Sequence, residues 1–288
     1  MIKRLGADLM KILTVTDSDA DKLQDLVRCV HGKVTTDPAD VEGEERYLYL
    51  GPEGLSLVQG KMELKGDFMQ MYRRVSGGHL QHEKLLRAAK WKGMPEKPLA
   101  LDATAGLGED SFILAAAGYH VILCEYNPVI CALLRDALDR ALRSPDEMIG
   151  RSIPGGKGPL RKTSAYETGE AVSEIREIAS RMELREGNSI EIMAALEQTP
   201  DLIYLDPMFP AKQKSGISTK KLQIFQKLEM PCLEEDALLD AAFAASPGRI
   251  IVKRPIRGMP LAGRRPGYSI ECRNVRYDCY LPGTGRVR

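Results

Sequence analysis

No stretch of the 288-residue chain approaches the roughly 20 consecutive apolar residues that cross a bilayer, so no membrane span is expected. Lys3 and Arg4 give the N-terminus a basic start, but Asp8, Lys11 and Asp17 interrupt the next stretch, and a signal-peptide core is missing. Cysteine is sparse: Cys29, Cys124, Cys131, Cys232, Cys272 and Cys279 form no C-x-x-C pair, which excludes zinc-site spacing. Scattered thiols fit a reduced, cytoplasmic setting. Of the four histidines, His79 and His82 have no third ligand at metal spacing, so no metal is expected. The single tryptophan, Trp91, reads as a packing residue. Net charge is missing too: 41 basic against 40 acidic residues leaves +1, which names no partner. The 43% apolar and 28% charged fractions are those of a folded globular chain, long enough for two domains.

The even total hides a gradient. Residues 99–200 carry 10 basic and 16 acidic side chains, whereas residues 201–288 carry 15 and 9. A basic last third can supply a phosphate-facing surface; a solvated face balanced by the acidic middle is the plainer alternative. Residues 11–16 read as a strand, 17–31 as a capped helix, and 46–50, 55–59 and 62–68 as short strands. Residues 1–68 thus form a small N-terminal α+β domain. A helix is expected over 79–91. From residue 99 strands alternate with helices (strands at 99–102, 121–124, 184–186, 201–205 and 249–253), and residues 268–273 pair with 275–281 as a hairpin. Residues 144–169, rich in Gly, Pro and Ser, read as a long loop. Repeating βα units imply a parallel sheet covered on both faces over residues 69–288.

Three segments carry chemistry. In Asp102-Ala-Thr-Ala-Gly106-Leu-Gly108-Glu109-Asp110 an acid closes the first strand, and a glycine turn centred on Gly106 lets a ligand approach the backbone. The third glycine of a dinucleotide turn is lacking. Glu109 and Asp110, standing where a pyrophosphate would sit, repel one; they suit S-adenosylmethionine (SAM), which carries a sulfonium and an ammonium, better than NAD. Complementing the helix dipole is the alternative task for these acids. Glu125 ends the next strand, 19 residues past Gly106, where an acid accepts from ribose hydroxyls, and Tyr126 can flank the adenine. Asp206-Pro207-Met208-Phe209-Pro210 follows an apolar strand. Asp206 and the Pro207 carbonyl can accept hydrogens of an exocyclic amine, and Phe209 can stack on the base that bears it; a rigid strand-exit turn is the alternative.

Together, DATAGLGED, CEYNPVICALL and YLDPMFPAKQKS resemble the bacterial 16S ribosomal RNA (guanine-N2) methyltransferase family of RsmJ type, over about residues 62–281. The resemblance implies a Rossmann-like class I methyltransferase sheet and SAM as methyl donor. It implies the N2 of a guanine in 16S rRNA, free or in the small ribosomal subunit, as acceptor. It aligns Glu109 and Asp110 with the family's cofactor pair, Glu125 and Tyr126 with the ribose and adenine pair, and Asp206 with the cofactor–substrate junction. Asn188 and Ser189 align with a polar pair at the adenine edge, where a helix N-cap is the competing role.

Lys212 and Lys214 follow the Phe209 turn, and Lys253 and Arg254 end a strand on the same side of the sheet; all four are candidate RNA phosphate contacts. An amino methyltransferase of DNA adenine or protein glutamine shares the Asp-Pro-x-aromatic logic, and a non-catalytic RNA-binding protein is the third reading. An NAD-dependent oxidoreductase is disfavoured by Glu109 and Asp110.

Overall fold

The computed structural model describes residues 9–15, 20–143, 169–207 and 234–282. The expected long loop at 144–169 lies, but for Gly169, outside them, as do the expected caps Asp17 and Ser18.

Two sheets organise the chain. In the first, β1 (Met10–Thr14) passes through α1 (Ala20–Val30) to β2 (Gly32–Thr35), which lies parallel to it. β3 (Tyr47–Gly51) runs parallel to β1 on its other side. β4 (Gly54–Gln59) and β5 (Met62–Leu64) continue as an antiparallel meander, giving the order β2-β1-β3-β4-β5. The third strand of this run is shorter than the sequence suggests. It ends at Leu64, and Asp67 then accepts a hydrogen bond from the Met69 amide (3.0 Å) and starts a 3-10 turn over Phe68–Met71.

A short helix α2 (Tyr72–Val75) leads to Gly77 and Gly78, both at positive φ. The helix expected over 79–91 is broken. A 3-10 turn covers His79–His82, Glu83 is extended (φ −67°, ψ 119°), and α3 covers Lys84–Ala89. The break lets the Glu83 carboxylate take the guanidinium of Arg74 in a two-pronged pair at 2.9 and 3.0 Å.

The second sheet begins with β6 (Leu99–Asp102), followed by α4 (Glu109–Ala116), β7 (His120–Glu125), α5 (Pro128–Ala141), α6 (Gly169–Ala179), β8 (Met182–Glu186) and α7 (Ser189–Ala194). The chain then crosses to β9 (Leu202–Leu205), α8 (Glu235–Ala244), β10 (Arg249–Pro255), and the hairpin β11 (Tyr268–Glu271) and β12 (Val275–Tyr280). The order is β11-β12-β10-β9-β6-β7-β8, parallel except where β12 opposes its neighbours. The unbroken apolar strands are the central ones: all four residues of β9 and the first four of β10 are buried, as a parallel sheet covered on both faces requires. Charged β8 lies at an edge, where pairing with another chain is best discouraged.

Helix α5 joins the sheets. Asn127 caps it through the Val129 and Ile130 amides (3.0 and 3.3 Å), worth about 1 kcal/mol, and Pro128 takes the first helical position. Val129, Ile130 and Leu133 pack with Ile12, Leu48, Leu55 and Leu57 of the first sheet, while Leu134, Ala137 and Leu138 enter the core of the second. Asp136 fastens the joint by accepting from the Leu55 amide (3.0 Å) and from Arg140 (2.8 Å). Leu107, inside the glycine turn, belongs to the same cluster as the first sheet, and Phe68 stacks on Phe112 at 4.8 Å. The N-terminal unit therefore backs the turn that sequence reasoning singles out.

Candidate active site

Consecutive connections diverge between β6 and β9, and the crevice above their carboxyl ends is where open α/β sheets take ligands. The glycine turn and the Asp206 turn meet there. Gly106 and Gly108 adopt φ of 55° and 74°. A Cβ on Gly108 would also come within 3.0 Å of Leu134 and 3.1 Å of Leu123, so the turn is closed to other residues. The Asp206 amide donates to Thr104 Oγ1 at 2.7 Å, which ties the exit of β9 to the turn after β6.

Lys253 lies at the centre. Val252 pairs with Leu205, so Lys253 stands level with Asp206. Its Nζ is 2.9 Å from Asp206 Oδ2 and 2.7 Å from Asp110 Oδ2, and Tyr204 donates its hydroxyl to the same Asp110 oxygen at 2.6 Å. Burial opposes the charge on Lys253, but the two carboxylates prevail and raise its pKa. Burial likewise works against Asp110, yet Lys253 and Tyr204 hold that carboxyl below its ordinary range. For Asp206, which is only partly buried, desolvation still prevails over Lys253, and the carboxyl is raised. Asp110 thus faces inward, whereas Glu109 is exposed at the mouth.

Asp102 is buried beneath them. It accepts from Ser111 (2.6 Å) and from the Thr104 amide (3.0 Å), and burial pushes its pKa up to about 7. Its folded value lies above the unfolded one, so ionisation costs nothing below about pH 4. The cost grows as pH climbs toward about 7 and is then constant. Between about pH 5 and 8 the protein should lose roughly 2–3 kcal/mol of stability through this group. Urea unfolding of Asp102→Asn should lack that slope; parallel profiles for the two proteins would contradict the assignment.

Glu125 is buried with both oxygens engaged. Gly106 donates its amide to Oε2 at 2.9 Å and Asn127 to Oε1 at 2.7 Å. Burial raises its pKa against these bonds. The Tyr126 amide is a third backbone donor to it, so the carboxylate anchors the glycine turn to the exit of β7. Tyr126, 64% exposed, borders an open hollow of about 490 Å³ with Cys29, Pro128, Glu186, Gly187 and Asn188. The Asn188 side chain accepts from the Ile190 amide at 2.9 Å, so it caps α7, and Ser189 opens the helix. The carboxylates Asp110, Asp206 and Glu109 outnumber Lys253 here, and Arg74 is already paired with Glu83. Such a crevice favours a cationic ligand over a polyanion.

Two expected RNA contacts are corrected. Lys253 is taken by Asp110 and Asp206, and Arg254 is buried, donating to the Met259 carbonyl at 2.7 Å and paired with Glu235 at 3.5 Å. Neither presents its charge to a phosphate. Pro207 is buried beside Asp206; Phe209, Lys212 and Lys214 lie outside the described residues. Sequence reasoning misses Thr104, Tyr204 and the bridging task of Lys253. A lone tyrosine in an apolar strand is a weak signal for the second; the third has none, because it depends on strand register. Among the described residues no cluster of potential metal ligands is found, and no helix is long and apolar enough to cross a membrane.

The family described as "Putative SAM-dependent methyltransferase" matches residues 39–153 and 164–282. The ribosomal RNA small subunit methyltransferase J of Pseudomonas aeruginosa is 36% identical over 250 residues, covering 84% of each chain. Its counterpart in Aeromonas hydrophila is 39% identical over 209 residues, 73% of this chain and 72% of the other. Among solved structures, a SAM-dependent methyltransferase from Neisseria gonorrhoeae superimposes with a TM-score of 0.64 at 29% identity, covering 96% of this chain and 98% of its own.

Proposed function

The chain belongs to the SAM-dependent methyltransferases, in the family of the ribosomal RNA small subunit methyltransferases J, and from that membership we propose that it methylates the exocyclic N2 of a guanine in 16S rRNA. The division of labour we propose gives residues 69–288 the catalysis and residues 1–68 a supporting α+β unit. SAM supplies an electrophilic methyl when bound. Glu109 and Asp110 stand at the turn that would receive its charged end, Glu125 and Tyr126 at the ribose and adenine side, and Asn188 and Ser189 at the adenine edge.

Asp206 carries the acceptor chemistry. The amine of guanine is a poor nucleophile because its lone pair is delocalised into the ring. Asp206 and the Pro207 carbonyl accept its two hydrogens and turn the lone pair toward the methyl carbon. Phe209 stacks on the base. The methylated nitrogen would carry one proton too many, and Asp206, whose pKa is raised by partial burial, is the group placed to take it. The observation that supports this reading best is the Asp206 carboxylate held by Lys253 at 2.9 Å while its own amide is fixed on Thr104. A base must leave its stack to enter such a crevice, so the acceptor is a loop or end rather than continuous duplex. Lys212 and Lys214 remain the phosphate contacts of the proposal. With ribosomal RNA as substrate, the reading proposes the cytoplasm as the site of the reaction.

The test is transfer of labelled methyl from SAM to small ribosomal subunits from a strain lacking the protein, followed by nucleoside analysis. N2-methylguanosine is the expected product; label in any other nucleoside, or in protein, overturns the assignment.

A further inference from the structure

Beyond Lys253 the chain runs on past the crevice. Val252 is level with Leu205, so each residue after it projects further beyond the edge that carries Asp206. The loop after Pro255 is held from beneath by two arginines. Arg276 is buried. Its Nη1 donates to the carbonyls of Pro255 and Ile256 (3.0 Å each) and of Gly258 (2.8 Å). Its Nε and Nη2 grip Asp278 at 2.8 and 3.0 Å, and Asp278, fully buried, also accepts from Ser269. Arg254 takes the Met259 carbonyl. The Gly258 amide closes on Pro255 O at 2.8 Å, the Ile256 amide on Asn274 O at 3.1 Å, and Leu261 is buried at the far end.

The carbonyls of Pro255, Ile256, Gly258 and Met259 therefore turn inward. Outside, beside the short ring of Pro255, stand the side chain of Arg257, exposed, and that of Met259, 72% exposed, the most exposed large apolar side chain among the described residues. Burying an ion pair carries a desolvation cost, and once it is buried the loss of either partner is strongly destabilising, so the Arg276–Asp278 pair holds the loop to one shape. Unstacking a base loads the element that does it, and apolar wedges, methionine among them, are used for it beside arginines that hold the backbone.

We propose that this braced loop opens the RNA at the target: Met259 enters the gap left by the unstacked guanine, and Arg257 takes a neighbouring phosphate. The inference rests on the rRNA reading above and adds the element that delivers the base to Asp206. Both side chains are exposed, so their replacement leaves the brace intact.

Arg257→Ala, Met259→Ala and Met259→Leu should be compared with the unaltered chain in methyl transfer to the deficient small subunits, and in binding to them as a function of salt. Met259→Ala should lower kcat/KM about tenfold with the salt slope unchanged, and Met259→Leu should restore most of it. Arg257→Ala should raise KM and reduce the slope of log K against log salt by about one. SAM affinity by equilibrium dialysis should be the same in all four. Variants that methylate and bind like the parent overturn the proposal, and so does a parallel loss of SAM affinity, which would mark the loop as part of the cofactor site. If the unaltered chain transfers no methyl to these subunits, the rRNA reading itself fails, and the proposal with it.

Discussion

Asp206→Asn is expected to lower kcat for methyl transfer by about 10²–10³-fold while leaving the protein folded. An asparagine offers one acceptor oxygen where the carboxylate offers two, and it points donors at an amine that needs acceptors. It also cannot take the proton released after transfer. Lys253 keeps Asp110 at 2.7 Å, so no charge is stranded by the change. The loss should appear in single-turnover kcat with SAM affinity nearly unaltered. A rate within a few-fold of the parent would show that Asp206 does not touch the reacting amine.

Removing the other end of that pair is expected to damage the fold itself. Lys253→Met leaves Asp110 and Asp206 facing the same cavity, with Tyr204 still donating to Asp110 and, among the described residues, with only the more distant Arg74 and Arg254 as cations acting on them. Breaking a buried pair from one side typically costs about 3–5 kcal/mol. Because Asp206 is more than one third exposed and water can reach it, roughly 2–4 kcal/mol is expected near neutral pH. The pH dependence follows from the sign. Lys253 now holds Asp110 below the usual carboxylate range and opposes the burial that raises Asp206. Without the ammonium both carboxyls rise above their unfolded values. Their charged forms then cost stability in proportion to how far pH exceeds the unfolded carboxylate pKa, up to the new folded value. The variant should therefore lie closest to the parent near about pH 5 and fall furthest below it at about pH 8. Urea unfolding at the two pH values measures this; an equal deficit at both would mean that the lysine acts through packing alone.

Much of this architecture is legible locally. The runs Leu99–Asp102, Leu202–Leu205 and Arg249–Lys253 are largely apolar and become central parallel strands because only a covered sheet can bury both their faces. Asn127-Pro128 announces α5 through a capping side chain and a ring already set for the first turn. The pattern over 79–91 misleads because its leucines do follow a helical period, yet Glu83 is extended there and its carboxylate meets Arg74. A contact nine residues away competes with local propensity and leaves no trace in the pattern.

The site divides in the same way. Glu109, Asp110, Glu125 and Asp206 are legible in the sequence because each sits at a strand end or helix start, and chain-local grammar fixes those places. Lys253 stands out as well but points to the wrong partner, since a lysine ending a strand reads as a solvent-facing cation until the register of β9 against β10 is known. Arg276 carries no local signal, because its three carbonyl partners lie 18 to 21 residues upstream across an antiparallel pairing. The order of elements and the acids at their ends are thus written in the chain, because they depend on neighbours a few residues apart. Which charges neutralise one another, and which stay outside, is settled by the assembled fold, because in a parallel sheet adjacent side chains come from segments separated by whole helices.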